Sequence, residues 1–139
     1  MIKRMESHSP EETYEIGRMM ARAAEPGDVI ALEGDLGAGK TVFTKGFARE
    51  LGVKGAVNSP TFTILQIYDE GKLPLYHFDV YRLGSSEELL DIGAEEMLYG
   101  DGVCVIEWAD IVADVLPDDV LAIRLDYGEK EGERTAEFL

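Results

Sequence analysis

The chain has 139 residues, 45% of them apolar and 29% charged, which is the size and composition of one ordinary globular domain and excludes a disordered or fibrous protein. Asp and Glu number 28 against 13 Lys and Arg, a formal charge of −15. A surface of that sign repels phosphate backbones and argues against stand-alone nucleic-acid binding. No apolar run reaches the roughly 18 residues that cross a bilayer, and the start Met1-Ile2-Lys3-Arg4-Met5-Glu6 lacks the apolar stretch of a secretory signal, so a cytoplasmic protein is expected. The single cysteine, Cys104, lies in Val103-Cys104-Val105-Ile106, the setting of a small buried thiol and not of a disulfide or zinc ligand.

Ser9-Pro10-Glu11-Glu12 predicts a helix start, with a capping hydroxyl, Pro in the first turn and acids at the positive dipole end. Ile16, Met19, Met20 and Ala23 continue the helix at three- and four-residue spacing until Pro26-Gly27-Asp28 breaks it. Val29-Ile30-Ala31-Leu32-Glu33 is a continuous apolar run of the kind a buried parallel strand needs. After a loop from Gly34 to Gly39, Thr41 to Leu51 reads as a second helix ended by Gly52. Two β-rich runs, Thr61 to Tyr68 and Leu73 to Tyr81, flank the polar turn Asp69-Glu70-Gly71-Lys72 and predict an antiparallel hairpin.

In the second run Tyr76, Phe78 and Val80 share one face, and His77, Asp79 and Tyr81 share the other. Ser85-Ser86-Glu87-Glu88-Leu89-Leu90 predicts another capped helix, followed by a helical or irregular stretch to Tyr99. Val103 to Ile106 reads as a central strand ending at Glu107. Val120 to Leu125 is a further strand, and Arg134 to Phe138 a candidate edge strand. Without repeats, linkers or low-complexity tracts, residues 1–139 are expected to form one α/β domain. The expected fold is a P-loop NTPase-like three-layer sandwich with a mostly parallel central sheet and an antiparallel hairpin.

Gly34-Asp35-Leu36-Gly37-Ala38-Gly39-Lys40-Thr41 matches the phosphate-binding loop Gly-x-x-x-x-Gly-Lys-Ser/Thr, between a predicted strand and a predicted helix as the motif requires. Its glycines let successive backbone N–H groups surround phosphate oxygens at the helix's positive end. Lys40 supplies a compact charge for the β- and γ-phosphates, and the Thr41 hydroxyl is placed to ligate Mg²⁺. No Asn-Lys-x-Asp string that would favour guanine occurs, so ATP is the expected nucleotide.

Such sites take a second metal contact from an acid ending a neighbouring apolar strand. Glu107 fits, as metal ligand or water-orienting residue, and Asp110 is its nearest competitor. Trp108 reads as core filler, pocket wall or partner anchor. Asp79, between His77 and Tyr81 on one strand face, is either functional or the solvated side of a half-exposed strand. His77 reads more readily as a hydrogen-bonded structural histidine, and Arg82 as a surface arginine or a phosphate or partner contact. Ser59-Pro60-Thr61 is placed where nucleotide-sensing loops sit, and is also good turn chemistry.

Gly-Asp-Leu-Gly-Ala-Gly-Lys-Thr at 34 to 41, Ser-Pro-Thr-Phe-Thr at 59 to 63, His-Phe-Asp-Val-Tyr-Arg-Leu at 77 to 83 and Ile-Glu-Trp-Ala-Asp at 106 to 110 together closely resemble the TsaE family, formerly called YjeE. The resemblance implies a small P-loop ATPase that works with the bacterial proteins TsaB and TsaD in the threonylcarbamoyl modification of adenosine beside the tRNA anticodon. In that family the ATPase does not transfer the threonylcarbamoyl group; its hydrolysis resets the partner assembly, and tRNA contact is left to the partners.

Carried over by motif, Lys40 and Thr41 bind phosphate and Mg²⁺, Glu107 is the second metal-site acid, and Asp79 serves hydrolysis or coupling. Thr61 senses the γ-phosphate or metal, and Trp108 bears on the site or its partners. The chain as given ends at Leu139, without the extra C-terminal segment of some relatives, which leaves the adenine contacts from that end open. Thr13, near the first helix start, and Arg134 are the candidates for the base. Two other readings of the loop remain: a nucleotide-gated binding module without turnover, and a small-molecule phosphotransferase, for which scattered arginines and short length are poor equipment.

Overall fold

The computed structural model describes residues 4–34, 38–57 and 64–138. In chain order they form β1 (Arg4–Ser7), α1 (Pro10–Arg22), β2 (Val29–Glu33), α2 (Lys40–Leu51), β3 (Leu65–Tyr68), β4 (Leu75–Asp79), α3 (Ser86–Asp91), α4 (Ala94–Leu98), β5 (Val103–Glu107), a 3-10 helix (Ala109–Val115), β6 (Leu121–Tyr127) and β7 (Arg134–Phe138). The strands make one seven-stranded sheet in the order β1-β7-β6-β2-β5-β4-β3.

Four of the inner strands, β6, β2, β5 and β4, run parallel. The β3–β4, β6–β7 and β1–β7 pairs are antiparallel. The sheet is therefore mixed, not mostly parallel as expected: the hairpin β3–β4 closes one flank, and β6, β7 and β1 fold back on one another at the other. β7 is not an edge strand, because β1 pairs along it from Arg4↔Glu137 to Ser7↔Arg134. β1 escapes an apolar-run search because its Arg-Met-Glu-Ser sequence turns only Met5 and Ser7 inward. Of the first β-rich run, the described part is strand only over Leu65–Tyr68, while Thr61 lies outside the described residues.

Helices cover both faces of the sheet, which is why β2 and β5 are unbroken apolar runs. Alternate residues divide between two clusters. Ile30, Leu32, Val103 and Val105 pack with Phe43, Phe47 and Leu51 of α2. Val29, Ala31, Cys104 and Ile106 pack with Leu89, Ala94 and Leu98 of α3 and α4. Burial pushes the Cys104 thiol up to about 12, so it is an inert core group.

α1 begins as expected: Ser9 is extended, its Oγ accepts from Glu12 N–H at 3.2 Å, and Pro10 opens the helix. The start of α3 is held differently. Ser85 makes no side-chain cap bond; instead the Glu88 carboxylate accepts from Gly84 N–H at 3.2 Å, and Ser86 Oγ bonds to Asp114.

α1 and α2 approach until backbone meets backbone. A Cβ on Gly17 would overlap the Phe43 carbonyl, and one on Gly46 would overlap the Tyr14 carbonyl. This close crossing brings α1 against the start of α2, where Thr13 meets Gly39. Gly46→Ala is expected to lower the unfolding free energy by about 1–3 kcal/mol, because two packed helices must separate. Urea denaturation measures it, and a variant as stable as the parent would show that the crossing tolerates a methyl group.

Candidate functional site

The parallel strands point their C-terminal ends to one edge of the sheet, where open α/β sheets receive ligands. Gly34 follows β2, Asp79 ends β4, Glu107 ends β5 and Tyr127 ends β6. Ser7 and Arg134 lie at the same edge, because β1 ends and β7 begins there.

Gly34 has φ +137°, a backbone that disfavours a Cβ, and a Cβ there would overlap the Leu125 carbonyl. Gly39 has φ +105° and leads into α2 with no side-chain cap. The start of α2 is the positive end of its helix dipole, which favours an acceptor of negative charge. Asp35, Leu36 and Gly37 lie outside the described residues; Ala38 is fully buried. Thr41 sits in the first turn of α2, half-buried.

Lys40 is only 5% exposed. Its Nζ donates to the Gly34 carbonyl and stands 3.5 Å from the ring centroid of Trp108, so the buried charge is balanced partly by a carbonyl dipole and an aromatic face. Trp108 has φ +63° and ψ +34°, a left-handed backbone rare for a large residue. That turn, directly after Glu107, lays the indole beside Lys40, and the Tyr81 ring closes on it with centroids 4.8 Å apart. Of the three readings for Trp108, wall of this site is the one its position supports.

The two acids are register partners on adjacent parallel strands, Asp79↔Glu107. Both face the α1–α2 side, as do His77, Val103 and Val105 by alternation. Glu107 is 3% exposed and His77 fully buried, with His77 Nε2 2.5 Å from Glu107 Oε2. The polar face of β4 is therefore dry at His77 and half-buried at Asp79. Burial holds the Asp79 carboxyl above the usual range; the Tyr81 N–H, which donates to it at 3.1 Å, opposes the shift, and the negative Glu107 adds to it. Asp110 is exposed on the 3-10 helix and lines a cavity of about 240 Å³ together with Glu33, Arg124 and the Lys40 neighbours Gly34 and Trp108. Arg82 is exposed beyond β4.

Thr13 Oγ1 is 2.7 Å from Ser7 Oγ, and its methyl lies against Gly39. Ser7 in turn lines a cavity of about 380 Å³ with Arg4, Tyr127, Glu133 and Arg134. There the Arg134 guanidinium stacks 4.5 Å from the Tyr127 ring centroid and donates to the Glu133 carbonyl at 2.8 Å. Ser7, Tyr81 and Tyr127 were not among the sequence candidates. Tyr81 lies inside the 77 to 83 string but was given no role there, whereas Ser7 and Tyr127 belong to no motif and strand pairing brings them to this edge.

Among the described residues no three His, Cys, Asp or Glu side chains converge as a cage for a metal ion. Thr41 and Glu107 carry hard oxygen donors, the kind a small divalent cation takes alongside waters or ligand phosphates. Among the described residues no helix is long and apolar enough to cross a membrane.

The family described as "Threonylcarbamoyl adenosine biosynthesis protein TsaE" matches residues 7–136. A Bacillus subtilis (strain 168) protein named tRNA threonylcarbamoyladenosine biosynthesis protein TsaE is 52% identical over 128 residues, 91% of this chain and 80% of its own. Its namesake from Treponema pallidum (strain Nichols) is 50% identical over 119 residues, 86% of this chain and 87% of its own. The crystal structure of Bacillus subtilis YdiB superposes with a TM-score of 0.83 at 44% identity, covering 99% of this chain and 86% of that one. With motif, fold and identity in agreement over nearly its whole length, the chain belongs to the TsaE family.

Proposed function

We propose that residues 1–139 act as one P-loop NTPase-like three-layer unit that binds and hydrolyses Mg²⁺-ATP in the cytoplasm, for the threonylcarbamoyladenosine modification of tRNA. The observation that carries the reading is the buried Lys40 at the start of α2, at the same sheet edge as two carboxylates that end neighbouring strands, one of which, Asp79, feels its charge. The names borne by the relatives supply the pathway. TsaB and TsaD are the proposed partners, hydrolysis resets their assembly, and tRNA is held by them. The formal charge of −15 favours that division of labour.

Lys40 exchanges its bond to Gly34 for the β- and γ-phosphates, while Gly34, Asp35, Leu36, Gly37, Ala38 and Gly39 wrap them with backbone N–H groups. Thr41 and Glu107 hold Mg²⁺, which when bound neutralises developing phosphate charge. Asp79 orients the attacking water. Its raised carboxyl suits a group that accepts a proton during hydrolysis. Thr61 senses the γ-phosphate, and Trp108 walls the site beside Lys40. The cavity beside Tyr127 and Arg134, joined to Gly39 through Ser7 and Thr13, accommodates the adenine.

Phosphate release from Mg²⁺-ATP, alone and with TsaB, TsaD and tRNA, tests the reading. Turnover that the partners stimulate, and that Lys40→Ala and Glu107→Gln each reduce by ~100-fold or more, is expected. Tight nucleotide binding without turnover under every condition would leave a nucleotide-gated module, and transfer to a small acceptor a phosphotransferase.

Asp79→Asn separates chemistry from stability. It keeps an oxygen for the Tyr81 N–H, so nucleotide binding persists while hydrolysis falls ~100-fold or more. A carboxyl whose folded-state value is raised stabilises the fold at pH below its unfolded value, and that contribution is lost as pH rises through the folded one. At neutral pH Asp79→Asn is therefore expected to melt at or above the parent temperature, with the gain vanishing toward acid pH. A melting temperature below the parent's at pH 7 would overturn the stability half, and normal turnover the catalytic half.

A further inference from the structure

His77 has no role in the scheme above, yet it is fully buried with Nε2 2.5 Å from Glu107 Oε2. A carboxylate oxygen only accepts, so Nε2–H is the donor, and at this separation the bond is strong. The other ring nitrogen, Nδ1, is buried with no hydrogen-bond partner among the described residues. An unpaired buried nitrogen costs stability. A core position serving packing alone would hold an apolar side chain, as β4 does at Leu75 and Phe78. What the imidazole supplies in return is its grip on Glu107.

That grip opposes a specific disturbance. Asp79 stands opposite Glu107 in the register of β4 and β5, and its like charge pushes on the Glu107 carboxylate. A side chain with three rotatable bonds beside a like charge swings unless something holds it. His77 lies two residues before Asp79 on the same face of β4, so its bond runs diagonally across the strand pair and pulls the carboxylate away from Asp79.

We propose that His77 is a positioning residue for the metal site: its Nε2–H fixes the rotation of the Glu107 carboxylate, and with it the geometry in which Glu107 meets a divalent cation. The proposal rests on Glu107 being a metal-site acid, as argued above. Ligating carboxylates depend on such outer hydrogen bonds, whose loss weakens metal affinity by about 10- to 100-fold.

The test uses the full chain, N-methylanthraniloyl-ATP as fluorescent probe, and magnesium chloride titrated against EDTA controls. His77→Leu removes the donor. His77→Gln carries an amide N–H to about the position of Nε2, and His77→Asn carries one only as far as Nδ1. His77→Leu and His77→Asn are expected to raise the Mg²⁺ concentration for half-maximal nucleotide binding about tenfold or more. Binding in EDTA should be unchanged, and His77→Gln should restore most of the loss. Should His77→Leu fail to fold, the comparison of Gln with Asn decides alone, since both are polar and differ in reach.

Magnesium midpoints within about twofold of the parent for Leu and Asn, or equal shifts for Gln and Asn, would overturn the positioning role and leave the ATPase reading standing. A parent protein whose nucleotide binding ignores Mg²⁺ would overturn the metal site itself.

Discussion

Two carboxylates that end neighbouring parallel strands at the same height repel each other, and much of the candidate site is arranged around that repulsion. Asp79 and Glu107 are register partners, so the sheet itself sets their separation and neither can retreat without breaking the ladder. Each is turned toward a different partner: Asp79 accepts from the Tyr81 N–H, and Glu107 binds His77. Lys40, at the same edge, is a positive charge that opposes on Asp79 the effect of Glu107. A cation brought to this place is attracted by both acids, and a nucleotide's phosphates are attracted by Lys40 and by the start of α2. The site is thus a small, strongly structured field on a protein whose overall charge repels polyanions.

The same edge concentrates the departures from local preference. Trp108 adopts a left-handed backbone, Lys40 is buried, Gly34 tolerates no side chain, and His77 Nδ1 has no hydrogen-bond partner among the described residues. Elsewhere the chain follows simple rules. Ser9 caps α1, β2 and β5 are apolar throughout, and the Phe43 and Phe47 rings stack inside the α2 face with centroids 6.3 Å apart. Each such buried side chain contributes roughly 1.5–3 kcal/mol, a reserve that supports strained positions at the edge. Clustering of local conflict at one end of a well-formed sheet is the pattern expected of a functional site.

The legible parts of the sequence were those whose signal is local. The phosphate loop is read from spacing, β2 and β5 from apolar runs, and α1 from its cap and period, and β2, β5 and the start of α1 sit at their expected bounds. The acid pair was legible only as two separate candidates. That Asp79 and Glu107 stand opposite each other depends on β4 and β5 being neighbours, and strand order is a non-local property. For the same reason β1 was invisible: four residues with little apolar character become a strand because β7 offers them a partner. β7, in turn, reads as an edge strand and the sheet as mostly parallel only while the pairing of β1 with β7 is out of view. His77 illustrates the limit most clearly. A histidine alternating with an aspartate looks like the wet side of a strand, and only the packing of α1 and α2 over that face makes it dry.

The helix crossing therefore matters to the chemistry as well as to stability. Gly17 and Gly46 let α1 and α2 approach to backbone contact. α2 carries Lys40 and Thr41 at its start, while α1 carries Thr13, whose methyl supports Gly39 and whose hydroxyl ties to Ser7 at the end of β1. A wider crossing would lift the start of α2 from the sheet edge and let water reach His77 and Glu107. In water the hydrogen bond between them would compete with solvent and lose much of its net strength. Two glycines far from any phosphate thus set how dry, and how well defined, the acid side of the site is.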